Sequence, residues 1–182
     1  MDVLIISSSR NQIDDYYKSV ARSVAHYLAI NGCNLIFGGS SSSMMGICYE
    51  EFKNENRNIY TYTTLKYADD LQNLASTKQI MCETTFDLKK KMFENSDLIV
   101  CLPGGIGTIS ELLSYIEEKR SNDKNTPIII YDEDGYYKKL FNMLDKTILD
   151  GFSDKNIYDN LLIAKNREDL ENLFIEMRGK IK

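Results

Sequence analysis

The sequence predicts an α/β fold, a doubly wound parallel sheet with helices on both faces. Apolar runs of strand length alternate regularly with segments whose apolar residues recur at helical spacing. Several runs, such as Val3–Ser7 and Ile128–Tyr131, are continuously apolar and rich in β-branched residues, which is typical of strands covered on both faces. This alternation favours parallel strands joined by right-handed crossovers.

Seven strands are predicted: Val3–Ser7, Asn34–Phe37, Ile59–Thr63, Gln79–Cys82, Leu98–Leu102, Ile128–Tyr131 and Leu161–Ala164. Between them, apolar residues at helical spacing predict helices over residues 13–28, 112–116, 140–148 and 170–177, with two more after Ser43 and Thr84. In a sheet of this kind the ligand crevice lies outside the carboxyl ends of the strands. The turns that follow strands are therefore the places to look for chemistry.

Length and composition favour one cytoplasmic domain over residues 1–182. A chain of 182 residues is long enough to bury a core without disulfides or metals. No apolar run approaches the roughly 20 residues of a membrane helix, and the first strand lacks the flanks of a signal peptide. A net charge of −5 argues against a broad nucleic-acid-binding surface. We expect neither a membrane nor a nucleic acid as partner.

The cysteines indicate structural thiols and not a metal site. Cys33, Cys48, Cys82 and Cys101 are widely spaced, form no CxxC pair, and are accompanied by a single histidine, His26. Reduced, buried thiols are therefore expected. The sequence predicts no metal and no cofactor.

A serine-rich turn, Gly38 to Ser43, directly follows the second strand and precedes a helix that is predicted to begin near Met44. Glycines allow a ligand to approach the backbone, and hydroxyls bind phosphate or ribose oxygens. A polar turn in which Ser42 or Ser43 caps the helix explains the same residues. The pattern leaves both interpretations open.

A glycine-rich turn, Pro103 to Glu111, follows the strand Leu98–Leu102. Its three glycines let the chain turn sharply beneath an anion, and Thr108 is predicted to open a helix whose N-terminus faces the crevice. Glu111 then lies one turn into that helix. Thr108 and Glu111 also match a capping box, an interaction that needs no substrate.

The glycine-rich turn resembles the PGGxGTxxE motif of the Lonely Guy (LOG) family, and the likeness extends over nearly the whole chain. Segments that resemble the family in the same order are Ser8-Ser9, Phe37-Gly38-Gly39, Met45-Gly46, Ser96-Asp97, Asp134-Gly135-Tyr136-Tyr137 and Gly151-Phe152. The resemblance implies a Rossmann-like fold and a homodimer with the active site near the subunit interface. It also implies hydrolysis of the N-glycosidic bond of a nucleoside 5′-monophosphate, such as a cytokinin riboside monophosphate or AMP, to free base and ribose 5-phosphate. Family members have also been labelled lysine decarboxylases, but no pyridoxal-phosphate site is recognisable here.

The chemistry of this reaction suits Glu111. Cleavage of a nucleoside bond builds positive charge on the ribose ring, and a nearby carboxylate stabilises it. The resemblance makes Glu111 the catalytic residue. The residues expected to bind phosphate or substrate are Gly104, Gly105, Ile106, Gly107, Thr108, Ser8, Ser9, Gly38, Gly39, Ser40, Met45, Gly46 and Lys89.

The chain departs from the family pattern in its second turn and in the helix after Thr84. Ser40 and Ser43 stand where the family has glycines, which narrows the backbone choices there. Leu88 stands where the family has an arginine that binds substrate or takes part in catalysis, while Lys89 keeps the family lysine. Lys91, three residues after Leu88, is a candidate replacement for the lost charge. A solvated lysine face, with Thr84 and Asp87 as a capping box, explains the same helix without function.

Two other functions stay open beside the hydrolase. Related Rossmann-like proteins bind nucleotides or the molybdenum cofactor as sensors or carriers without turnover, and the loss of the arginine at Leu88 favours that class. A nucleoside deoxyribosyltransferase would pass the sugar to a second base instead of water. Arg10, just past the first turn, could meet a phosphate, but a solvent-exposed arginine is the commoner case and the preferred interpretation. Of Tyr16-Tyr17 and Tyr136-Tyr137, one ring of each pair is expected in the core and the other at a rim or an interface.

Overall fold

Seven parallel strands form one sheet in this computed structural model, which describes residues 1–121 and 126–180. The strands are β1 (Asp2–Ile6), β2 (Asn34–Phe37), β3 (Ile59–Thr64), β4 (Lys78–Cys82), β5 (Leu98–Cys101), β6 (Ile128–Tyr131) and β7 (Leu161–Ala164). The α-helices are α1 (Asp15–Ile30), α2 (Ser43–Asn54), α3 (Thr85–Asn95), α4 (Ile106–Ser121), α5 (Lys138–Leu149) and α6 (Arg167–Lys180). The predicted Rossmann-like α/β fold is confirmed, and each predicted strand agrees with an observed one to within one residue at either end.

The strand order, β4-β3-β2-β1-β5-β6-β7, contains one reversal of direction. The chain runs outward from β1 to β4, returns to pair β5 with β1, and then runs outward the other way. Val3 lies opposite Leu98 and Ile6 opposite Cys101 in that central pair. The segments that leave β1 and β5 at their carboxyl ends therefore diverge to opposite sides, which opens a crevice at this point.

Two apolar cores lie on the two faces of the sheet. Alternate residues of β1 point to opposite faces, so that Val3 and Ile5 enter one core and Leu4 and Ile6 the other. Helices α1, α2 and α6 cover the first face, and α3, α4 and α5 cover the second. The continuously apolar strands are thus explained, because both faces of each central strand are buried.

Local signals explain where several helices begin and end. The Asp14 carboxylate accepts a hydrogen bond from Tyr16 N at the start of α1, and Gly32 adopts a left-handed φ of 83° just after its end. Thr84 Oγ1 accepts from Asp87 N at 3.0 Å, which confirms the threonine half of the capping box predicted for α3. The Asp87 carboxylate accepts from Glu83 N, one residue before the cap.

All four cysteines are buried and free. Burial raises the pKa of the Cys48 and Cys101 thiols to about 12, so both stay protonated at neutral pH. The expectation of buried thiols is confirmed, and their reduced state stays a prediction. Among the helices of the described ranges, none is both long and apolar enough to cross a membrane.

Candidate functional site

A cleft of about 280 Å³ opens where the turns after β1 and β5 diverge. Its walls come from these two turns, from the first turns of α1 and from the segment before α5. The lining residues are Ser8, Arg10, Gln12, Ile13, Tyr17, Pro103, Gly104, Gly105 and Tyr136. Three of the predicted binding residues, Ser8, Gly104 and Gly105, are thus brought together from two turns almost a hundred residues apart.

The turn after β1 supplies hydroxyls and backbone to this cleft. Ser7 and Ser8 are buried at the carboxyl end of β1, whereas Ser9 and Arg10 are exposed. Ser8 Oγ accepts a hydrogen bond from Arg10 N at 3.1 Å, which closes the turn. Ser7 Oγ is buried and has no hydrogen-bond partner among the described residues. An unsatisfied buried hydroxyl at the switch point is typical of a site built for a polar ligand.

The glycine turn is shaped by the contact between Gly104 and Thr108. A Cβ on Gly104 would lie 2.2 Å from Thr108 Oγ1, so no side chain fits at this position. Helix α4 begins at Ile106, two residues before the predicted start at Thr108. The Gly105 carbonyl already accepts from Ile109 N at 3.0 Å. Because Thr108 lies inside the helix and does not precede it, Thr108 and Glu111 are not a capping box.

Two consecutive tyrosines hold the glycine turn from the side of β6. Tyr136 Oη donates to the Gly104 carbonyl at 2.9 Å, and Tyr137 Oη donates to the Leu102 carbonyl at 2.7 Å. Tyr137 is buried while Tyr136 lies at the rim of the cleft, edge-on to the half-buried Tyr17 at 5.7 Å. One ring of this pair is in the core and the other at a rim, as predicted. Sequence reasoning did not connect these hydroxyls to the glycine turn; the one signal was their place after a strand and an Asp-Gly turn.

Glu111 lies on the same face of α4 as Thr108, one turn further into the helix. Its side chain is partly buried, and burial raises the pKa of its carboxyl to about 7 against the lowering effect of Lys89. No described residue hydrogen-bonds or ion-pairs with the Glu111 carboxylate. The carboxyl thus sits near the midpoint of its titration at neutral pH, which is a property of acid–base and electrostatic catalysts.

Lys89 reaches this region from α3. Its Nζ donates to Ser110 Oγ at 2.8 Å, beside Glu111 in the sequence. Leu88, by contrast, points into the core and is 8% exposed. Lys91 pairs with the Asp87 carboxylate at 3.0 Å, so its charge is already compensated within α3 and it does not line the cleft. The structure therefore brings Lys89 to the neighbourhood of Glu111 and leaves Lys91 on the helix surface.

The serine-rich turn connects to the turn after β1 rather than to the glycine turn. Met45 N donates to the Ser8 carbonyl at 3.3 Å, and Ser43 Oγ donates to the Arg10 carbonyl at 2.6 Å. Neither Ser42 nor Ser43 caps α2 through its side chain, which corrects the capping interpretation of this turn. Ser43 instead adopts a left-handed φ of 53°.

The remaining predicted residues of that turn shape the backbone and do not line the cleft. A Cβ on Gly39 would lie 2.5 Å from Thr61 Cγ2, and one on Gly46 would lie 2.1 Å from the Ser41 carbonyl oxygen. Gly38 precedes them at the end of β2, and the Ser40 hydroxyl accepts from Ser42 N inside the turn. Ile106 and Gly107, in the first turn of α4, are exposed. The binding roles predicted for these residues of the serine-rich turn and of α4 stay predictions.

The described residues offer little to a metal or to pyridoxal phosphate. In the described ranges no group of three or more His, Cys, Asp or Glu side chains is placed to hold a metal ion. None of the described residues lining the cleft is a lysine, and a Schiff-base cofactor needs one.

Comparisons with known proteins place the chain in a family. The family model described as "Possible lysine decarboxylase" matches residues 40–173. A cytokinin riboside 5′-monophosphate phosphoribohydrolase of Arabidopsis thaliana is 27% identical over 171 residues, which cover 93% of this chain and 79% of the relative. A second phosphoribohydrolase of that name from the same plant is 25% identical over 169 residues, 92% of this chain and 74% of the relative.

A molybdenum cofactor carrier protein from Chlamydomonas reinhardtii shares the fold with a TM-score of 0.73 at 13% identity, over 98% of both chains. At that identity the likeness shows the fold alone. The sequence matches, by contrast, span most of both chains and include the glycine turn and Glu111. The chain therefore belongs to the family described as possible lysine decarboxylases, to which its Lonely Guy relatives belong, as the resemblance of its motifs predicts.

Proposed function

We propose that the protein hydrolyses the N-glycosidic bond of a nucleoside 5′-monophosphate to free base and ribose 5-phosphate. The observation that carries this proposal is the state of Glu111, a partly buried carboxyl without a described partner, one turn after the glycine turn. The names of the relatives support the same reaction class.

The chemistry follows from where the charges lie. As the bond from ribose C1′ to the base nitrogen breaks, positive charge develops on the ribose ring, and an ionised Glu111 stabilises it. Water then attacks C1′, the base leaves with the bonding electron pair and is protonated, and the ribose keeps its phosphate. Gly104 and Gly105 lack side chains and precede α4, so their backbone can approach the 5′-phosphate.

We also propose that the protein forms a homodimer. Phe86 at the start of α3 is 72% exposed, Ile106 at the start of α4 is 84% exposed, and Leu113 on α4 is also exposed. Ile106 and Leu113 are seven residues apart and share one face of α4. Apolar side chains exposed beside a candidate site fit an interface with a second copy of the chain.

One observation favours a second candidate function, a nucleotide- or molybdenum-cofactor-binding protein without turnover. The position of the family arginine is occupied by a leucine that packs in the core, so no guanidinium is available from α3. Carrier proteins for the molybdenum cofactor share the fold. A protein of this class would bind a nucleotide in the same cleft and release no ribose 5-phosphate.

The test is a panel of nucleoside 5′-monophosphates that includes AMP and isopentenyladenosine monophosphate, assayed for ribose 5-phosphate. We expect release by the wild type and a loss of about 100-fold or more in Glu111→Gln, because one electrostatic contact to the transition state is typically worth that much. Glu176→Gln, an exposed residue on α6 across the sheet, is the matched control and should retain activity.

Each outcome separates the candidates. Equal turnover by Glu111→Gln and wild type, with the fold intact, would contradict the role of Glu111. No release from any substrate, together with a nucleotide that raises the melting temperature, would favour the binding protein. Formation of an exchanged nucleoside after addition of a second base would identify a transferase.

A further inference from the structure

Of the described residues that line the cleft between the turns after β1 and β5, Arg10 has the one ionic side chain. The other lining residues are serine, glutamine, isoleucine, tyrosine, proline and glycine, and none is acidic. The chain as a whole carries a net charge of −5. These lining residues therefore offer one positive charge and no negative charge, which suits an anionic ligand.

The Arg10 guanidinium is not engaged by any residue that the structure describes. Within the described residues it has no hydrogen bond and no ion pair, and the side chain is exposed. Each of the other arginines whose side chain the structure describes has a partner: Arg22 with Glu51, Arg57 with Ala29, Arg167 with Glu171 and Arg178 with Asn31. Arg10 is thus the described arginine whose five donors are free for a ligand.

The main chain of Arg10 is nevertheless held in place. Its N–H donates to Ser8 Oγ at 3.1 Å, and its carbonyl accepts from Ser43 Oγ at 2.6 Å. Ser43 makes this bond from a left-handed backbone conformation, with φ at 53°. A fixed backbone with a free side chain lowers the entropy cost of binding, because fewer torsions remain to be ordered.

The wall opposite Arg10 suits a phosphate. Gly104 and Gly105 present backbone without side chains, and Gly105 immediately precedes the 16-residue helix α4. An anion at this helix start meets free N–H groups and the positive end of the helix dipole. A guanidinium on the other side adds two parallel N–H···O bonds of matched geometry.

From this arrangement we propose that Arg10 binds the 5′-phosphate of the substrate and selects phosphorylated nucleosides over free ones. The inference rests on the proposed function for the identity of the substrate, but its chemistry, a phosphate monoester between Arg10 and the glycine turn, does not depend on turnover. Arg10 thereby provides from the turn after β1 the guanidinium that Leu88 cannot provide from α3.

Binding measured by calorimetry tests this assignment, with AMP, adenosine and inorganic phosphate as probes. Arg10→Gln is expected to weaken AMP and phosphate binding by about 10- to 100-fold, as for the loss of charge-assisted hydrogen bonds. Adenosine binding should change less than about twofold by the same reasoning, since adenosine lacks the phosphate. Arg10→Lys should give an intermediate loss, because it keeps the charge but not the fork of donors.

Arg178→Gln is the matched control, since this arginine bonds to Asn31 at the amino-terminal edge of the sheet, away from the cleft. Its AMP affinity should equal that of the wild type. Equal AMP affinity in Arg10→Gln and wild type would overturn the assignment, and so would a wild type that binds AMP no more tightly than adenosine. A selective loss in Arg10→Gln without ribose 5-phosphate release from the wild type would support the assignment and reject the hydrolase.

Discussion

Burial and charge act on the Glu111 carboxyl in opposite directions. Burial raises its pKa, the nearby Lys89 ammonium lowers it, and the balance is a pKa of about 7. Turnover that needs the ionised carboxylate should therefore rise as the pH passes through about 7 and level off above it. The same raised pKa means that ionisation of Glu111 destabilises the folded protein. Stability should therefore fall over the pH range in which turnover rises.

The stability effect has a definite sign. In the unfolded chain Glu111 ionises near its ordinary pKa of 4.5, whereas in the folded protein it ionises near 7. Between these values the folded state binds more protons, so the contribution to stability is present at low pH and lost as the pH rises through 7. Each pKa unit corresponds to about 1.4 kcal/mol, so the full loss is on the order of 3 kcal/mol.

Glu111→Gln should therefore be more stable than the wild type at pH 8, because the neutral amide avoids the cost of a buried charge. Near pH 5 the two proteins should differ little. Thermal unfolding of both at the two pH values measures this difference. If Glu111→Gln were less stable than the wild type by the same amount at pH 5 and pH 8, the prediction would be wrong. The Glu111 side chain would then stabilise the fold through its contacts and would not destabilise it through a buried charge.

The segment between β6 and α5 acts on the glycine turn as an element. Asp134 and Gly135 both adopt left-handed φ, which turns the chain back toward β5, and the Asp132 carboxylate accepts from Tyr137 N at 2.6 Å. The two tyrosine hydroxyls then reach the carbonyls on either side of Pro103. An element from the neighbouring strand thus sets the orientation of the peptide groups that face the cleft.

Tyr137→Phe should lower the free energy of unfolding by about 1–3 kcal/mol, since it leaves the buried Leu102 carbonyl without its phenol donor. For a protein of this size, about 1 kcal/mol corresponds to a decrease of roughly 2–4 °C in melting temperature. Tyr158→Phe is the control, because the Tyr158 hydroxyl bonds to the exposed Asp145. Equal, small decreases in both variants would mean that the glycine turn is held without Tyr137.

At the scale of the whole molecule, exposed apolar side chains mark two different surfaces. One surface contains Phe86 on α3 and Leu113 on α4, the two helices that carry Lys89 and Glu111. The other contains Met143 and Leu149 on α5 and Phe152 just beyond it. Because we propose a homodimer whose interface lies near the active site, we expect the first surface and not the second to form that interface.

Phe86→Asp and Phe152→Asp form a matched pair for this choice, since the two rings are 72% and 83% exposed. Neither substitution disturbs a core. Phe86→Asp should shift the protein from dimer toward monomer in sedimentation velocity, because it places a charge in an apolar interface. Phe152→Asp should sediment as the wild type. Dissociation by Phe152→Asp alone would place the dimer on the α5 side and contradict the proposal.

Local patterns in the sequence were enough for the fold and for part of the site. Runs such as Ile128–Tyr131 have no polar position to place toward water, and this property alone indicates a strand covered on both faces. Glycine turns directly after strands indicated where a ligand can approach the backbone. Helix starts were less predictable: α4 begins at Ile106 because the chain turns at Gly104 and Gly105, and Thr108 packs back onto Gly104.

What the sequence by itself determined is the parallel α/β sheet, the two glycine-containing turns and the family, because these depend on periodicity and on contiguous motifs. Only the tertiary structure decided which of the turns share a cleft. The return of β5 to the side of β1 brings Ser8 and Arg10 next to Gly104, and it leaves Lys91 outside. The tertiary structure also decided that Arg10, which the sequence predicts to be solvent-exposed, faces a cleft. It further decided that the tyrosine hydroxyls hold the glycine turn. Strand order and the direction of side chains arise from long-range packing, which no local pattern encodes.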